Sequence, residues 1–292
     1  MSMIMIKIFF ISIFLFPVLS TAQQYVNLDD LRSNFSVQDY TLKTNTLYEF
    51  NNEIKIYNVF LSENVILLFS VLPDLESSEN WVKIEESSFK DKLVSKNKIL
   101  SLASDWLEDN RPTNKTFKYK LLKKDNGEFY VSKVCLTELF KIQKTKYPIV
   151  PSYGIININE EQLKIKEMKT LFERQFPNTD FILDPRNNSR VNNLDNSYLK
   201  KYYLSKVFKI MNQHAYQFWT LDDWNVRDGY NIERGIDRFV YSEKFGIIGG
   251  SYDFYFELKP KNSSNSYYTA GGNLLWENIY HEKVMIAKEL LD

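Results

Sequence analysis

The chain has 292 residues, and its 37 lysine and arginine residues balance its 37 aspartate and glutamate residues, which gives a formal net charge of zero. Proteins that bind a phosphate backbone carry an excess of positive charge, so we do not expect nucleic acid as a partner. The single cysteine, Cys135, excludes an intramolecular disulfide, and the fold must therefore be held together by burial of apolar surface. Because Cys135 lies in a strand-like apolar run, we expect a small buried side chain rather than a reactive thiol.

Residues 1–22 have the pattern of a secretory signal peptide. Lys7 is followed by an apolar run over 8–19 and then by the small residues Ser20, Thr21 and Ala22, as a signal peptidase requires. The apolar run is shorter than the roughly 20 residues of a membrane span, so an uncleaved anchor is the less favoured alternative. We expect cleavage after Ala22, a periplasmic or secreted protein, and no stable membrane span after cleavage.

The first half of the mature chain is predicted to be rich in strands. Strands are expected over 46–50, 53–61, 65–72 and 80–85. The third of these runs is apolar on both faces, so it should be central in its sheet. Apolar residues at helical spacing predict a helix over 89–108. Asn126-Gly127 lies between two alternating runs, which predicts a hairpin turn.

The second half is predicted to contain more helix. Helices are expected over 160–176, 196–213 and 273–291. In the second of these helices, Leu199, Tyr203, Val207 and Ile210 recur every three or four residues, as they would on one face of a helix.

The most aromatic part of the chain is the segment 216–258. Large aromatic side chains dominate core energetics, so we expect this segment at the centre of the core. Alternation over 236–241 and again over 252–257 predicts two strands. The turn between them is placed at 242–246, with Gly249-Gly250 inside the second strand as a bulge or a close backbone approach. A turn at the two glycines is the alternative, and it would keep the sheet.

These elements predict an α+β fold with a mainly antiparallel sheet and three or four packed helices, because strands and helices mix without a regular βαβ order. Pro148 and Pro151 mark the best boundary between a strand-rich N-terminal subdomain, 23–147, and a C-terminal α+β subdomain, 148–292. The two halves are also compatible with one continuous domain.

The common motifs for metal and phosphate chemistry do not occur. His214 and His281 are the two histidines, and neither belongs to an HExxH motif. The acidic loop that begins at Asp223 lacks the glycine and the final glutamate of a calcium-binding EF-hand. The sequence also lacks a phosphate-binding loop and the G-x-S-x-G nucleophile motif. We therefore predict no metal and no cofactor.

One cluster of aromatic and charged residues, within 219–234, remains as a candidate site. The aromatic members are Trp219, Trp224 and Tyr230, the acidic members are Asp222, Asp223 and Asp228, and the basic members are Arg227 and Arg234. Carboxylates beside flat aromatic rings can bind sugars and can cleave them with one acid and one base or nucleophile. The alternative is that the tryptophans belong to the core and the charges to a solvated turn. Just after the cluster, Asp237 and Arg238 are expected to form an exposed or cross-strand ion pair of little energetic weight.

Three hypotheses about function follow. The leading one is an exported soluble protein that is not an enzyme and that binds another protein or an envelope ligand, for which an antitoxin-like or inhibitor role would fit. The alternative is a secreted hydrolase that acts on a glycan or a peptide through the carboxylates of 222–228. The third is a structural protein of the cell envelope.

Overall fold

The structure, a computed structural model, describes residues 23–108, 116–146, 153–186, 201–221, 234–257 and 272–291. Of these residues 42% are in strands and 26% in helices, and the strands form three sheets. The predicted α+β fold with three or four packed helices is therefore wrong, because the protein is predominantly β and its helices are short. The predicted signal peptide and the boundary at Pro148 and Pro151 lie outside the described residues.

The described strands, in chain order, are β1 (Gln24–Asn27), β2 (Ser36–Lys43), β3 (Glu53–Ser62), β4 (Val65–Leu72), β5 (Trp81–Ile84), β6 (Thr116–Phe117), β7 (Tyr119–Asp125), β8 (Glu128–Ser132), β9 (Val134–Gln143), β10 (Ile155–Asn157), β11 (Tyr202–Ile210), β12 (Gln213–Thr220), β13 (Arg238–Ser242), β14 (Gly246–Gly250) and β15 (Met285–Ile286). The helices are α1 (Leu28–Asn34), α2 (Lys96–Glu108), α3 (Ile165–Gln175), α4 (Asp253–Glu257) and α5 (Gly272–Tyr280). The first sheet has the order β1-β7-β8-β5, the middle sheet β10-β9-β4-β3-β2 with β6 beside β9, and the third sheet β11-β12-β13-β14-β15.

The middle sheet contains the predicted central strand. Every residue of β4 is buried, and the strand lies between β3 and β9, which confirms the position expected from its continuous apolar run. The strand predicted over 46–50 is wrong, and β2 takes its place beside β3. The segment that follows β2 is instead a loop that Thr44 closes, since its Oγ1 bonds to the carbonyl oxygens of Phe50 and Asn52.

The turn between β7 and β8 is the one expected from Asn126-Gly127. Both residues have positive φ, 50° and 85°, as a two-residue hairpin turn requires. Asparagine tolerates positive φ, and glycine has no Cβ to clash. This two-residue motif was therefore sufficient to predict the turn.

The helix predicted over 196–213 is wrong where the structure describes it, because 202–220 form the β11–β12 hairpin. Tyr203, Val207 and Ile210 fit helical spacing, but the same run is rich in aromatic and β-branched residues, which favour strands. The turn of this hairpin is Met211-Asn212, and both residues have positive φ, 47° and 61°. No glycine marks the turn, so the usual hairpin signal was absent.

The predicted turn between β13 and β14 is confirmed, with both glycines in β14. A Cβ on Gly249 would lie 2.2 Å from the carbonyl oxygen of Met285, so the backbones of β14 and β15 approach closely, as expected. The strand predicted over 252–257 is wrong, because Asp253–Glu257 is the short helix α4. The helix predicted over 273–291 ends at Tyr280, after which the chain turns through Glu282 at φ 53° and enters β15.

The other two predicted helices exist but begin later than expected. The helix predicted over 89–108 is α2 and begins at Lys96, and the helix predicted over 160–176 is α3 and begins at Ile165. Residues 160–164 are not helical, and Leu163 N–H donates to the carbonyl oxygen of Leu204 on β11. A backbone contact with β11 is therefore found where the first turn of this helix was predicted.

The largest core lies where the middle sheet packs against the third sheet. Phe140 of β9 contacts Phe239 of β13 with ring centroids 5.2 Å apart, and the Asn58 side chain bonds to both backbone groups of Ile247. In the segment 216–258, the buried rings include Phe218, Trp219, Phe239, Tyr252, Phe254 and Phe256. This confirms the expected central position of the described part of the segment.

Two further observations concern Cys135 and the described helices. Cys135 on β9 is partly buried rather than buried as expected, and its side chain packs against the core. Burial raises the pKa of its thiol to about 12, which opposes thiolate chemistry. Among the described helices, none combines the length and the apolar composition that crossing a membrane requires.

Candidate functional site

Two residues of the predicted 219–234 site are described, Trp219, which is buried, and Arg234, whose side chain is largely buried. The Trp219 ring stacks on Tyr203 with centroids 4.5 Å apart, and its Nε1 donates to the carbonyl oxygen of Leu163 at 2.8 Å. This tryptophan belongs to the core, as the alternative interpretation proposed. Arg234 has a side chain that is 7% exposed, and its guanidinium lies 5.0 Å from the centre of the Phe254 ring. The other residues of the predicted site, Asp222, Asp223, Trp224, Arg227, Asp228 and Tyr230, lie outside the described residues.

Beside these two residues lies a buried cluster of charged groups centred on Arg238 and Asp253. The Arg238 guanidinium donates to both carboxylate oxygens of Asp253 and, through Nε, to the carbonyl oxygen of Lys283 at 3.0 Å. Asp253 also accepts hydrogen bonds from the Tyr48 hydroxyl at 2.9 Å and the Ser251 hydroxyl at 3.2 Å. The carboxylate is thus surrounded by donors from the loop after β2, from β13 and from the end of β14.

Asp237 is the carboxyl group of this cluster whose pKa is raised. Burial raises the pKa of its carboxyl to about 6, and Arg234, whose Nε lies 3.3 Å from Oδ1, opposes that rise. The neighbouring Asp253 carboxylate raises the pKa further, because two negative charges disfavour each other. Oδ2 accepts a hydrogen bond from the Phe254 backbone N–H at 3.1 Å.

The sequence interpretation of Asp237 and Arg238 as an exposed or cross-strand pair is wrong, since both are buried and Arg238 pairs with Asp253. Asp253 was missed altogether. A signal for it existed, because the residue lies between Tyr252 and Phe254 in an apolar run, where a lone carboxylate needs a partner. The prediction of a strand over 252–257 gave no reason to place Asp253 beside Arg238. In the structure Asp253 is the first residue of α4, and its carboxylate faces Arg238.

The cavity within this cluster is too small for a substrate. It measures about 10 Å³ and is lined by Trp219, Thr220, Arg234, Asp237 and Asp253 among others, which is the space that about one water molecule occupies. A second cavity of about 90 Å³ lies between α1 and α2. Ligand pockets usually measure about 300–1,000 Å³, so neither cavity fits an organic ligand.

The segment before β13 is fixed to the middle sheet by Glu138 of β9. This buried carboxylate accepts the Ile236 backbone N–H on both oxygens, at 3.1 and 3.2 Å. Gly235 has φ 83°, and a Cβ there would lie 2.2 Å from the Glu138 Oε1 atom. The glycine therefore allows the backbone to approach the carboxylate, which makes this contact a structural joint between the two sheets.

Potential metal ligands do not gather in the part of the chain that the structure describes, where no three His, Cys, Asp or Glu side chains are close enough to hold an ion. His281 is exposed just after α5, with its Nε2 atom 3.2 Å from a Glu277 carboxylate oxygen. His214 is exposed on β12 beside Tyr216, with the two ring centroids 6.3 Å apart.

The most exposed apolar part of the third sheet is the end of the β11–β12 hairpin, residues 206–214, here called the hairpin end. Val207 is 38% exposed and Met211 is 57% exposed. Lys206, Lys209 and His214 are also exposed, and 201–214 contain no acidic residue. The hairpin end thus combines apolar and basic groups on one projecting element. Sequence reasoning missed it because the segment was assigned to a helix.

No protein family matches the sequence, and neither a curated protein nor a solved structure is detectably similar to the chain.

Proposed function

We propose that this chain is an exported protein that is not an enzyme and that binds another protein or an envelope ligand, with a protein the better supported of the two. The observation that carries the proposal is the hairpin end, where Val207 and Met211 expose apolar surface beside Lys206 and Lys209. Exposed apolar side chains with a polar rim are typical of protein interaction sites.

The conformation of Met211 supports the same conclusion. A bulky residue at positive φ is strained, and such strain is retained mainly at positions that serve a function. The turn directs a long, flexible thioether side chain into solvent, and methionine is common on surfaces that bind partners. Folding alone would be better served by asparagine or glycine at this position.

The buried cluster supports a binding role over a catalytic one. Asp253 is occupied by Arg238, Tyr48 and Ser251, and the adjoining cavity has room for about one water molecule. A general acid or base must reach a substrate, and a cavity of this size admits none. These contacts favour a structural role for the cluster.

The experiment is affinity capture from envelope extract of the native cell, using mature wild-type protein and two double variants. Val207→Asp with Met211→Asp changes the hairpin end, whereas Val82→Asp with Leu171→Asp changes two other exposed apolar residues, 41% and 50% exposed. We expect a partner that wild type and the second variant retain and the first variant loses, with all three proteins folded by circular dichroism. Equal retention by both variants, or no reproducible partner, would contradict the proposal.

The second candidate function is the secreted hydrolase. The observation in its favour is Asp237, whose pKa is raised to about 6, a value that suits an acid or base. Asp237 lies three residues after Arg234, the last residue of the predicted 219–234 site. Its test is hydrolysis of chromogenic glycosides and peptides by wild type and by Asp237→Asn. Turnover by wild type that the variant loses, with the fold kept, would establish this function in place of the first.

A further inference from the structure

The outer edge of β11 has two different parts. At Leu204, the N–H donates to the Glu160 carboxylate at 2.9 Å and the carbonyl oxygen accepts the Leu163 N–H at 2.8 Å. Glu160 and Leu163, just ahead of α3, therefore occupy the outward-facing backbone groups of Leu204. Beyond Leu204, from Lys206 to Ile210, β11 pairs only with β12 among the described strands.

The register identifies which backbone groups face outward along that second part. Ile210 and Gln213 close the two-residue turn, so they form a hydrogen-bonded pair, and such pairs alternate along an antiparallel ladder. Lys209 and Val207 consequently belong to the pairs without mutual hydrogen bonds. Their N–H and C=O groups point away from β12, and an irregularity in the pairing between Leu204 and Lys206 separates them from the outward-facing groups of Leu204.

The charged side chains of β11 over 206–210 are both positive. Lys206 and Lys209 flank the outward-facing groups of Val207, and 201–214 contain no carboxylate to balance them. The covered part of the edge is already occupied by a segment that begins with Glu160, whose carboxylate bonds to the edge backbone. A strand that continues along 206–210 would place its own acidic side chains near the two lysines.

We propose that the protein captures an extended, acidic segment of its partner, which adds as a strand to the edge of β11 over 206–210. Main-chain hydrogen bonds to Val207 and Lys209 would hold the segment, as in other complexes formed by strand addition. The lysines select acidic sequences, and the exposed Val207 side chain provides an apolar contact on one face. This inference rests on the proposed binding function and specifies how the partner docks.

Lys206 and Lys209 lie on opposite faces of β11, because strand side chains alternate between the two faces. The test therefore uses a short fluorescent peptide in which pairs of adjacent glutamates are separated by threonines, so that glutamates are present on both faces of the added strand. A peptide with lysine in place of glutamate serves for comparison, and fluorescence anisotropy measures binding. We expect the acidic peptide alone to bind, and Lys206→Glu with Lys209→Glu to weaken binding at least about tenfold. The matched control is Lys98→Glu with Lys166→Glu, which makes the same charge change at two exposed lysines of α2 and α3 and should leave binding unchanged.

Amide hydrogen exchange on the complex provides a second measurement, because strand addition must protect the N–H groups of Val207 and Lys209. Binding without that protection, equal binding of both peptides, or binding of neither would overturn the proposal. Binding to vesicles that contain phosphatidylglycerol, without binding to the acidic peptide, would overturn it in favour of a membrane surface. If the native partner were still captured by the Lys206→Glu, Lys209→Glu variant, the binding function would stand and this docking mode would fall.

Discussion

Arg238 and Asp253 form an ion pair in which the side chains are only 3% and 0% exposed. Arg238 comes from β13 and Asp253 from the start of α4, so the pair connects the third sheet to the helix that follows it. Such a pair is not a large source of net stability, because both charges lose their hydration. Removal of one partner is nevertheless costly, since the other charge is left in the interior.

We predict that Asp253→Asn lowers the free energy of unfolding by about 3–5 kcal/mol, the cost of an uncompensated buried charge. Arg238→Met combined with Asp253→Asn should cost less than the sum of the two single changes, because neither charge is then left alone. Urea unfolding followed by tryptophan fluorescence measures these values. Lys144→Met, which breaks the exposed pair with Glu243, should have a much smaller effect. A loss of under about 1 kcal/mol for Asp253→Asn would be inconsistent with this account.

From the raised pKa of Asp237 we predict an unusual dependence of stability on pH. Its pKa in the folded protein is raised to about 6, so between about pH 4 and 6 the folded state binds this proton more tightly than the unfolded state. The contribution of this residue to stability is therefore fully present below the unfolded pKa and is lost as pH rises through about 6. Relative to Asp237→Asn, wild type should lose on the order of 1–3 kcal/mol between pH 4 and 7. The comparison of the two proteins cancels the titration of other carboxylates, and a constant difference would refute the assignment.

Two glycines with nearly the same φ allow the stability cost of backbone strain to be distinguished from the cost of a steric clash. Gly127 has φ 85° and open space where a Cβ would lie, whereas Gly235 has φ 83° and the Glu138 carboxylate 2.2 Å from that position. We expect Gly127→Ala to cost about 1–2 kcal/mol, the strain of the left-handed conformation. Gly235→Ala should cost about 1–3 kcal/mol more, because the carboxylate must move. Chemical denaturation measures both, and equal costs would show that the Glu138 contact is unimportant.

At the turn Met211-Asn212 we expect stability and partner binding to favour different residues. Replacement by Asn-Gly, as Met211→Asn with Asn212→Gly, relieves strain in two residues and should raise the free energy of unfolding by about 1–2 kcal/mol. The same change removes the most exposed apolar side chain of the hairpin end, so partner capture should weaken. Thermal unfolding and affinity capture on the same preparations test the two effects together. A more stable variant that captured the partner as well as wild type would show that Met211 has no part in binding.

Sequence reasoning succeeded where one local signal was sufficient. The continuous apolar run of β4 required a central strand, and Asn126-Gly127 required a tight turn. Sequence reasoning failed where the same residues were compatible with both a helix and a strand. Tyr203, Val207 and Ile210 match a helix by spacing and a strand by composition, and tertiary pairing with β12 decided between them.

The site was harder to predict than the fold because its partners are far apart in the sequence. Asp253 is held by Tyr48, 205 residues away, and Ile236 by Glu138, 98 residues away. No periodicity within one segment reports such contacts. The hairpin end was missed for a different reason, since its turn uses methionine and asparagine where glycine is usual.

The most direct test of a binding role for the hairpin end is site-specific photo-cross-linking in the native cell. A photoreactive amino acid replaces Met211 in one protein and Leu171, an exposed residue of α3, in another. The account predicts a discrete cross-linked product of higher mass from position 211 and none from position 171. No product at position 211, or the same products from both positions, would contradict it.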